Sequence, residues 1–412
     1  MNKEKVFVSA YACEPHLGSE IGVGWNWVIQ MSKYFDLWVL TRKSNQLNIE
    51  NWLKQQSEPC NIHFVYYDIP AILRFWKKGL RGVRTYYNLW QMATNKIVKK
   101  TMKENDIKIY HLLTYGNSLW GASRYGMKQF FVWGPTGGVD LIPRRFVAYY
   151  GIKFRIRELI RTMVIKTLPL NIGFQKRCKH ANLILCKSES MYEAIPEQYR
   201  SKAKLFTDCA VNGELLQENV VEDRKEIQYI TVGRLDAWRN FDVLIEAFCL
   251  AYQEKPNIRL DIVGEGRDEN RLKSLIRIRG MEQIIHMTGQ VSMNRYYEMM
   301  RNADVVVNSS YKEGAVTMAF DSMAMGKPLI CIETGGYTKH FSESSAMILP
   351  RGERKDLIES LRRAILSATD LETRKTMSRE IYKIACEKTW EKKGKEICRE
   401  IMTAYSGKKE ES

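Results

Sequence analysis

The stretch of residues 303–328 limits the possible folds of this chain more than any other part of it. It begins with a short β-branched apolar run at 303–307, which is typical of a strand buried in a parallel sheet. A polar cluster ends the run at 308–310. Glu313 then precedes apolar residues at helical spacing, up to a glycine–lysine–proline stop. The order of strand, acidic turn and helix places Glu313 at the carboxyl edge of an open α/β sheet, where such sheets bind ligands.

A second acid, Asp321, follows Glu313 by eight positions. If both residues were helical, they would lie about 12 Å apart along the helix axis. That separation is too large for two groups that act on one bond. It suits two groups that hold different parts of one elongated ligand.

The spacing of Glu313 and Asp321, followed by Met323-Ala324, Gly326 and Pro328, resembles a known signature. It is the glutamate–seven residues–glutamate pattern of the retaining glycosyltransferases of family 4, although its second acid is Asp here. The resemblance implies a GT-B fold, which is α/β with two Rossmann-like doubly wound domains facing a central cleft. It also implies that Glu313 is catalytic and contacts the transferred sugar, and that Asp321 contacts the ribose of the donor.

Strand-like and helix-like patterns alternate through both halves of the chain. A first strand is predicted at 5–11, and the pattern restarts at 227–233 after a polar stretch at 212–226. Alternation repeated in this way predicts two doubly wound sheets rather than one large sheet. We therefore expect an acceptor-side domain at 1–215 and a nucleotide-sugar-binding domain at 216–389. Further strands are predicted at 37–41, 62–67, 109–113, 130–133, 182–186, 258–263, 284–287 and 329–332. By resemblance to the family, a final helix at about 390–405 packs back on the first domain.

A transferase that uses a nucleotide sugar must stabilise a departing diphosphate, either with a metal ion or with cationic side chains and helix N-termini. The chain has no Asp-x-Asp triplet, so we expect no metal. Arg234 and Arg239 follow the strand at 227–233, where the family has an Arg and a Lys that grip the diphosphate. A helix starting after Glu313 would present free backbone N–H groups to the same anion. The donor-binding candidates of this helix start are Gly314, Ala315, Val316 and Thr317.

Two glycines at strand ends are further donor-binding candidates. Gly18 lies on the first turn between strand and helix, where a glycine lets the backbone approach a ligand closely. Gly264 follows the strand at 258–263, as does the base-side loop of the family, although a plain turn explains a lone glycine pair equally well. The loops at 12–25 and 133–138 resemble a subgroup of family 4 enzymes.

His111 lies near the end of a predicted strand and is the best histidine for the catalytic contact to the donor sugar that family members place in this region. A buried histidine with its hydrogen bonds satisfied inside the sheet is the alternative interpretation.

The charge of the chain is concentrated in one region. Residues 71–166 contain 19 lysines and arginines against four acids, which is 15 of the formal net charge of +17. In the segments 73–87 and 149–161, these cations alternate with aromatic and aliphatic residues, a pattern that favours an anionic membrane surface. A solvated basic face is the alternative. Nucleic acid is not an expected partner, because no helix-turn-helix, zinc-knuckle or RNP-like pattern accompanies the charge.

These observations predict a hexosyltransferase that takes a nucleotide diphosphate sugar as co-substrate, without a separate cofactor. The expected acceptor is a saccharide, lipid-linked or a polysaccharide precursor. Nine cysteines without a C-x-x-C pair indicate the reducing cytoplasm, and we expect a peripheral position at the inner face of the cell membrane. Two alternatives are open: a nucleotide-sugar epimerase or hydrolase with the same fold, and a catalytically silent subunit that binds sugar nucleotides.

Overall fold

A computed structural model describes residues 3–57, 60–77, 79, 82–120, 129–147, 150–313 and 316–410. The chain forms two compact units. The first comprises residues 1–139, 163–208 and 390–412, and the second comprises residues 140–162 and 209–389.

The sheet of the first unit is entirely parallel. Its strands are β1 Lys5–Ala10, β2 Asp36–Arg42, β3 Ile62–Tyr67, β4 Ile109–Thr114, β5 Phe130–Thr136, β6 Leu183–Cys186 and β7 Ala203–Leu205. Their spatial order is β3-β2-β1-β4-β5-β6-β7. Val6, Phe7 and Val8 of β1 are completely buried, as expected for a central strand covered on both faces. The order changes direction between β1 and β4, which is the point where sheets of this type bind ligands.

The sheet of the second unit repeats this arrangement. Its strands are β8 Ile227–Val232, β9 Ile258–Val263, β10 Ile285–Gly289, β11 Val305–Asn308, β12 Leu329–Ile332 and β13 Ala346–Leu349. Their order is β10-β9-β8-β11-β12-β13, again with parallel pairing, so the change of direction lies between β8 and β11. The fold class predicted from the sequence, two doubly wound α/β sheets, is confirmed.

Helices connect the strands in both units. The α-helices are α1 Ser19–Ser32, α2 Gln46–Lys54, α3 Val83–Ala93, α4 Asn95–Glu104, α5 Arg144–Val147, α6 Ile152–Lys166, α7 Ile172–His180, α8 Glu189–Ala194, α9 Phe241–Glu254, α10 Glu269–Ile278, α11 Met293–Asn302, α12 Thr317–Ala324, α13 Arg354–Ser367, α14 Leu371–Glu387 and α15 Trp390–Glu410. Short 3-10 turns occur at Lys43–Asn45, Ala71–Leu73, Leu168–Leu170, Glu197–Lys202, Gly213–Leu215, Ala237–Arg239 and Tyr337–His340.

The last helix, α15, lies against α1 of the first unit. A Cβ atom at Gly394 would come within 2.9 Å of the side chain of Gln30, so the two helices approach closely at this point. The ring of Tyr405 contacts that of Phe130 edge to face, at a centroid distance of 5.3 Å.

Residues 140–162 belong to the second unit, whereas the sequence-based division placed them in the first domain. Ile142 and Phe146 are part of the hydrophobic core of the second unit, and the Phe146 ring stacks on Tyr311 with centroids 4.0 Å apart. The Tyr150 hydroxyl donates a hydrogen bond of 2.5 Å to Oδ1 of Asn240. The aromatic partners that decide this placement are distant in sequence, which is why the order of strands along the chain did not indicate it.

Candidate functional site

The loops that follow β8 and β11 lie at the point where the strand order of the second sheet changes direction. The β8 loop carries Arg234 and Arg239, and the β11 loop carries Glu313. The two loops are joined by hydrogen bonds from the Tyr311 N–H to the Trp238 carbonyl and from the Ser309 hydroxyl to the Arg239 carbonyl. Three of the sequence-predicted site residues therefore lie on two adjoining loops.

An ion pair connects these loops. Nη1 of Arg239 lies 2.8 Å from Oε1 of Glu313, and the two side chains are only 17% and 12% exposed. The Ser310 hydroxyl donates a longer hydrogen bond of 3.4 Å to the same carboxylate oxygen. Nε of Arg239 is buried and has no acceptor among the described residues. A buried guanidinium with a free donor can accept an additional anionic ligand.

Burial raises the pKa of Glu313, and the positive charge of Arg239 opposes that shift. The nearby Asp140 raises the pKa further. Arg239 is therefore the larger of the influences that keep Glu313 ionised. A ligand that drew Arg239 away would leave Glu313 more prone to take up a proton.

Two positions shape the β8 loop, one by close packing and one by its backbone conformation. Gly233 lies under the Arg239 guanidinium, where a Cβ atom would be 2.9 Å from Nη1. Asn240 adopts a left-handed conformation with φ of 54°, and its side-chain amide donates to the Ser309 carbonyl at 2.9 Å. Asn is one of the few residues that tolerate this conformation, so Asn240 can end the turn without a glycine.

Arg234 differs from Arg239 in its surroundings. Its side chain is 56% exposed, and its Nε donates to Oδ2 of Asp236 at 2.5 Å on the same loop. It is therefore a solvent-accessible cation close in sequence to the buried one.

Gly264 is required by the packing of two loops. It has φ of +135°, and a Cβ atom there would lie 2.1 Å from the carbonyl oxygen of Gly233. A hydrogen bond of 2.9 Å from the Leu235 N–H to the Glu265 carbonyl continues this contact. The structure thus gives Gly264 a steric role that holds the Arg234 loop, and its predicted contact with the donor stays a prediction.

The helix after Glu313 begins later than the sequence predicted. Gly314 and Ala315 lie outside the described residues. Val316 is extended, with φ of −134° and ψ of 111°, and α12 begins at Thr317. The estimate of about 12 Å between Glu313 and Asp321 held only if both residues were helical, and Glu313 lies before the helix.

Asp321 is buried inside the second unit, on α12. Its Oδ2 accepts a hydrogen bond of 2.7 Å from the hydroxyl of Tyr296 on α11. Burial raises the pKa of Asp321 to about 7, and the hydrogen bond from Tyr296 only partly opposes this. The structure thus brings Arg239 and Glu313 together and pairs Asp321 with a residue that the sequence reasoning did not consider.

Lys312, which the sequence reasoning also missed, lies next to Glu313. Its Nζ is 3.3 Å from Oε1 of Glu158 on α6 and 5.4 Å from the centre of the Trp238 ring. Arg239 lies over the same ring at 4.6 Å. Burial lowers the pKa of Lys312 to about 8, with a further lowering by Arg161, while Glu158 opposes the shift. Glu158 could have been noticed as the one acid in the basic run at 149–161.

In the first unit, Gly18 lies where the sequence predicted, between β1 and α1. It is the residue that precedes α1, and its carbonyl accepts from Gly22 N–H at 3.4 Å. Gly22 and Gly24 allow close packing, because Cβ atoms there would lie 1.9 Å and 2.0 Å from the carbonyl oxygens of Leu17 and Ala12. This run of glycines therefore seats α1 against the loop that follows β1.

Glu20, in the first turn of α1, connects the ends of neighbouring strands. Its Oε1 accepts from the Gly116 N–H at 2.9 Å, and its Oε2 lies 3.6 Å from Nζ of Lys187. Lys187 also pairs with Asp208. These groups gather at the carboxyl ends of β1, β4 and β6, the ligand-binding edge of this sheet.

His111 is completely buried within β4. Its Nε2 lies 2.6 Å from the carbonyl oxygen of Gly134, and its ring contacts Trp27 edge to face. Burial lowers its pKa to about 4, and the hydrogen bond to Gly134 opposes the shift. A neutral imidazole bonded inside the sheet through Nε2 corresponds in part to the alternative interpretation, because its buried Nδ1 has no hydrogen-bond partner among the described residues. Its catalytic role stays a prediction.

Two features are absent from the described part of the chain. No group of three or more His, Cys, Asp or Glu side chains there is arranged to hold a metal ion. Among the same residues, no helix combines the length and the apolar character needed to span a membrane.

The fold points to one class of protein. The two parallel-sheet units match structures of GT-B glycosyltransferases. Residues 214–384, which include Arg239, Glu313 and Asp321, match the family described as Glycosyl transferases group 1.

Three individual proteins illustrate the similarity. A D-inositol 3-phosphate glycosyltransferase of Arthrobacter sp. (strain FB24) is 29% identical over 137 residues, which is 31% of this chain and 32% of that protein. Sucrose-phosphate synthase from Thermosynechococcus elongatus has a TM-score of 0.65 at 15% identity, over 98% of this chain and 100% of that one. Anabaena Alr3699/HepE, solved in complex with UDP and glucose, has a TM-score of 0.60 at 13% identity, over 97% of this chain and 100% of that one.

The sequence similarity is partial. The chain spans about a third to less than half of the length of the first curated relatives that it matches. The structural similarity covers nearly the whole chain, and at these identities it concerns the fold.

Proposed function

We propose that this protein is a retaining glycosyltransferase that moves a hexose from a nucleotide diphosphate sugar to a saccharide acceptor. The observation that carries the proposal is the buried Arg239–Glu313 ion pair at the change of direction of the second sheet. It lies within the span that matches Glycosyl transferases group 1. A nucleotide sugar as donor is supported by the neighbour solved with UDP-glucose.

In the proposed reaction, the bond between the anomeric carbon and the diphosphate oxygen breaks, and its electron pair leaves with the diphosphate. The acceptor hydroxyl forms the new bond on the same face of the sugar, and its proton passes to an oxygen of the leaving diphosphate. Arg239, with its free Nε–H donor, and Arg234 stabilise the developing negative charge. Glu313 then orients the sugar, and Asp321 holds the ribose. Metal independence is part of the proposal.

The proposed acceptor is a lipid-linked saccharide. The support for this is the concentration of net charge in residues 71–166, because a basic protein surface is attracted to anionic lipids. The protein would then act from the cytoplasmic side, at the membrane surface.

The donor is found first by thermal-shift measurements with a panel of UDP-, GDP- and ADP-sugars, since a ligand that binds only the folded protein raises its melting temperature. Release of nucleoside diphosphate is then measured with and without an organic extract of lipid-linked saccharides. We expect release that depends on the extract, and its loss in Glu313→Gln. Glu282→Gln, an exposed change elsewhere in the second unit, is the matched control.

Three outcomes would overturn the proposal. Equal release without acceptor indicates a hydrolase, and conversion of the sugar on its nucleotide indicates an epimerase. Donor binding without any turnover, rescued by Asp321→Glu, indicates a silent binding subunit that lost activity through the shorter acid.

A further inference from the structure

Helix α6 turns its apolar side outward. Five large apolar side chains on it are between 51% and 67% exposed: Ile152, Ile156, Leu159, Ile160 and Met163. At 100° per residue, four of these residues, all but Ile160, fall within a narrow stripe, and Ile160 borders it. We call these five residues the α6 stripe. A helix on the surface of a protein ordinarily buries its apolar side and presents its polar side to solvent.

The inward side of α6 is held by charge as well as by packing. Glu158 is 3% exposed and accepts from Arg161 at 2.9 Å and from Lys312 at 3.3 Å. Phe154 packs against the hydrophobic core of the second unit, and its ring contacts Tyr150 with centroids 4.9 Å apart. These contacts fix the rotation of the helix, so the α6 stripe is an ordered surface.

Cations border the α6 stripe on both sides. Lys153 and Arg157 flank one edge, Arg155 and Lys166 flank the other, and all four side chains are exposed. An apolar stripe between two rows of cations is the arrangement that lets a helix lie in a lipid surface, with aliphatic groups among the acyl chains and cations at the phosphates.

We propose that the α6 stripe is the surface by which this protein binds an anionic lipid bilayer. The charge on both edges favours this occupant over a second copy of the chain, because two such helices facing each other would bring eight cations together. Binding to lipid requires no nucleotide sugar. The inference therefore goes beyond the proposed reaction and does not depend on it.

The test is flotation of the full chain with vesicles of phosphatidylcholine mixed with phosphatidylglycerol, and with vesicles of phosphatidylcholine alone. We expect flotation with the mixed vesicles only, and less of it as salt is added. The double variant Ile156→Ser/Leu159→Ser should bind at least about tenfold more weakly. The matched control is Ile278→Ser/Val220→Ser, which removes two apolar side chains of 79% and 83% exposure from other parts of the second unit. Circular dichroism checks the fold of each variant.

Equal flotation of the two double variants would overturn the inference, as would binding to neutral vesicles alone. Sedimentation velocity adds a third refuting result: a dimer that the Ile156→Ser/Leu159→Ser change converts to a monomer, without lipid binding, would make the α6 stripe a self-association surface. The thermal shift with nucleotide sugars is measured on the same samples. If flotation fails and the thermal shift with nucleotide sugars is intact, the membrane inference is wrong and the transferase proposal stands. If flotation succeeds and no nucleotide sugar gives a thermal shift, the membrane inference stands and the transferase proposal is not supported.

Discussion

Replacement of Glu313 by Gln should affect nucleotide binding and sugar transfer in opposite directions. In the structure, Oε1 of Glu313 lies 2.8 Å from Nη1 of Arg239 and takes up one of its N–H donors. A diphosphate that approaches Arg239 must compete with this carboxylate and is also repelled by it. Gln keeps the shape of the side chain and removes the charge, so it competes more weakly with the phosphate groups for Arg239.

The size of the effect follows from the burial of the pair. A hydrogen bond between charged, largely buried groups contributes about 1.5–3 kcal/mol, which corresponds to a change of about 10- to 100-fold in a binding constant. We therefore expect free nucleoside diphosphate to bind Glu313→Gln about 10- to 100-fold more tightly than wild type. Transfer should fall by at least about 100-fold, because the variant lacks the charged group that orients the sugar.

Calorimetric titration with the nucleoside diphosphate that binds wild type best is the direct assay, since this ligand lacks the sugar that Glu313 would contact. The melting temperature of Glu313→Gln shows whether the second unit is intact, and Glu282→Gln serves as the control. Unchanged or weaker nucleotide binding by a folded Glu313→Gln protein would refute the reasoning that Arg239 receives the diphosphate.

Three further predictions concern Asp321, Gly264 and metal ions. Because burial raises the pKa of Asp321 to about 7, the folded protein keeps a proton that the unfolded chain releases near its ordinary pKa of about 4, and this stabilisation is lost as the pH rises through that range. In urea unfolding, the free energy of unfolding of Asp321→Asn should therefore rise by about 4 kcal/mol relative to that of wild type between pH 4 and pH 8. A difference between the two proteins that stays constant with pH would contradict the raised pKa of Asp321. Gly264→Ala should cost about 1–3 kcal/mol and weaken nucleotide binding, because its Cβ would meet the Gly233 carbonyl; Gly280→Ala, which has φ of +63° but open space around it, should cost less in the same melting experiment. Turnover should survive treatment with EDTA, and activity that EDTA removes and Mg²⁺ or Mn²⁺ restores would contradict metal independence.

The strands were predictable where they are central and β-branched. The run at 305–308 and the strand at 258–263 are fully or largely buried, and such strands are recognised by composition alone. Strands β7 and β13 were not predicted, and both are short, partly exposed strands of three and four residues at a sheet edge. The lysine within β7 interrupts any apolar run there, whereas the four apolar residues of β13 were a signal that the sequence reasoning missed.

The site was predictable where the position of a residue follows from the order of the strands along the chain. Arg239 and Glu313 follow strands that share one edge, so their proximity was a consequence of the topology. The pairing of Asp321 with Tyr296 depends on how α11 and α12 pack, and a tyrosine 25 positions earlier in the sequence gives no signal of that contact. The later start of α12 also escaped prediction, since the apolar spacing of 316–323 is equally helical whether or not its first residue is extended.

Helix α6 shows why periodicity alone does not determine which side of a helix is buried. Its sequence has apolar residues on both sides, and the stripe that contains Ile152, Ile156 and Leu159 is the more aliphatic one. The opposite side is buried because Phe154 packs against the hydrophobic core and Ile165 is enclosed, and the Glu158 carboxylate on that side is tolerated because it is paired. Its partner Lys312 is 154 positions away, so the pair exists only after the second unit has formed. The α6 stripe therefore faces outward because the distant partners of α6, the core around Phe154 and the cation Lys312, lie on its other side.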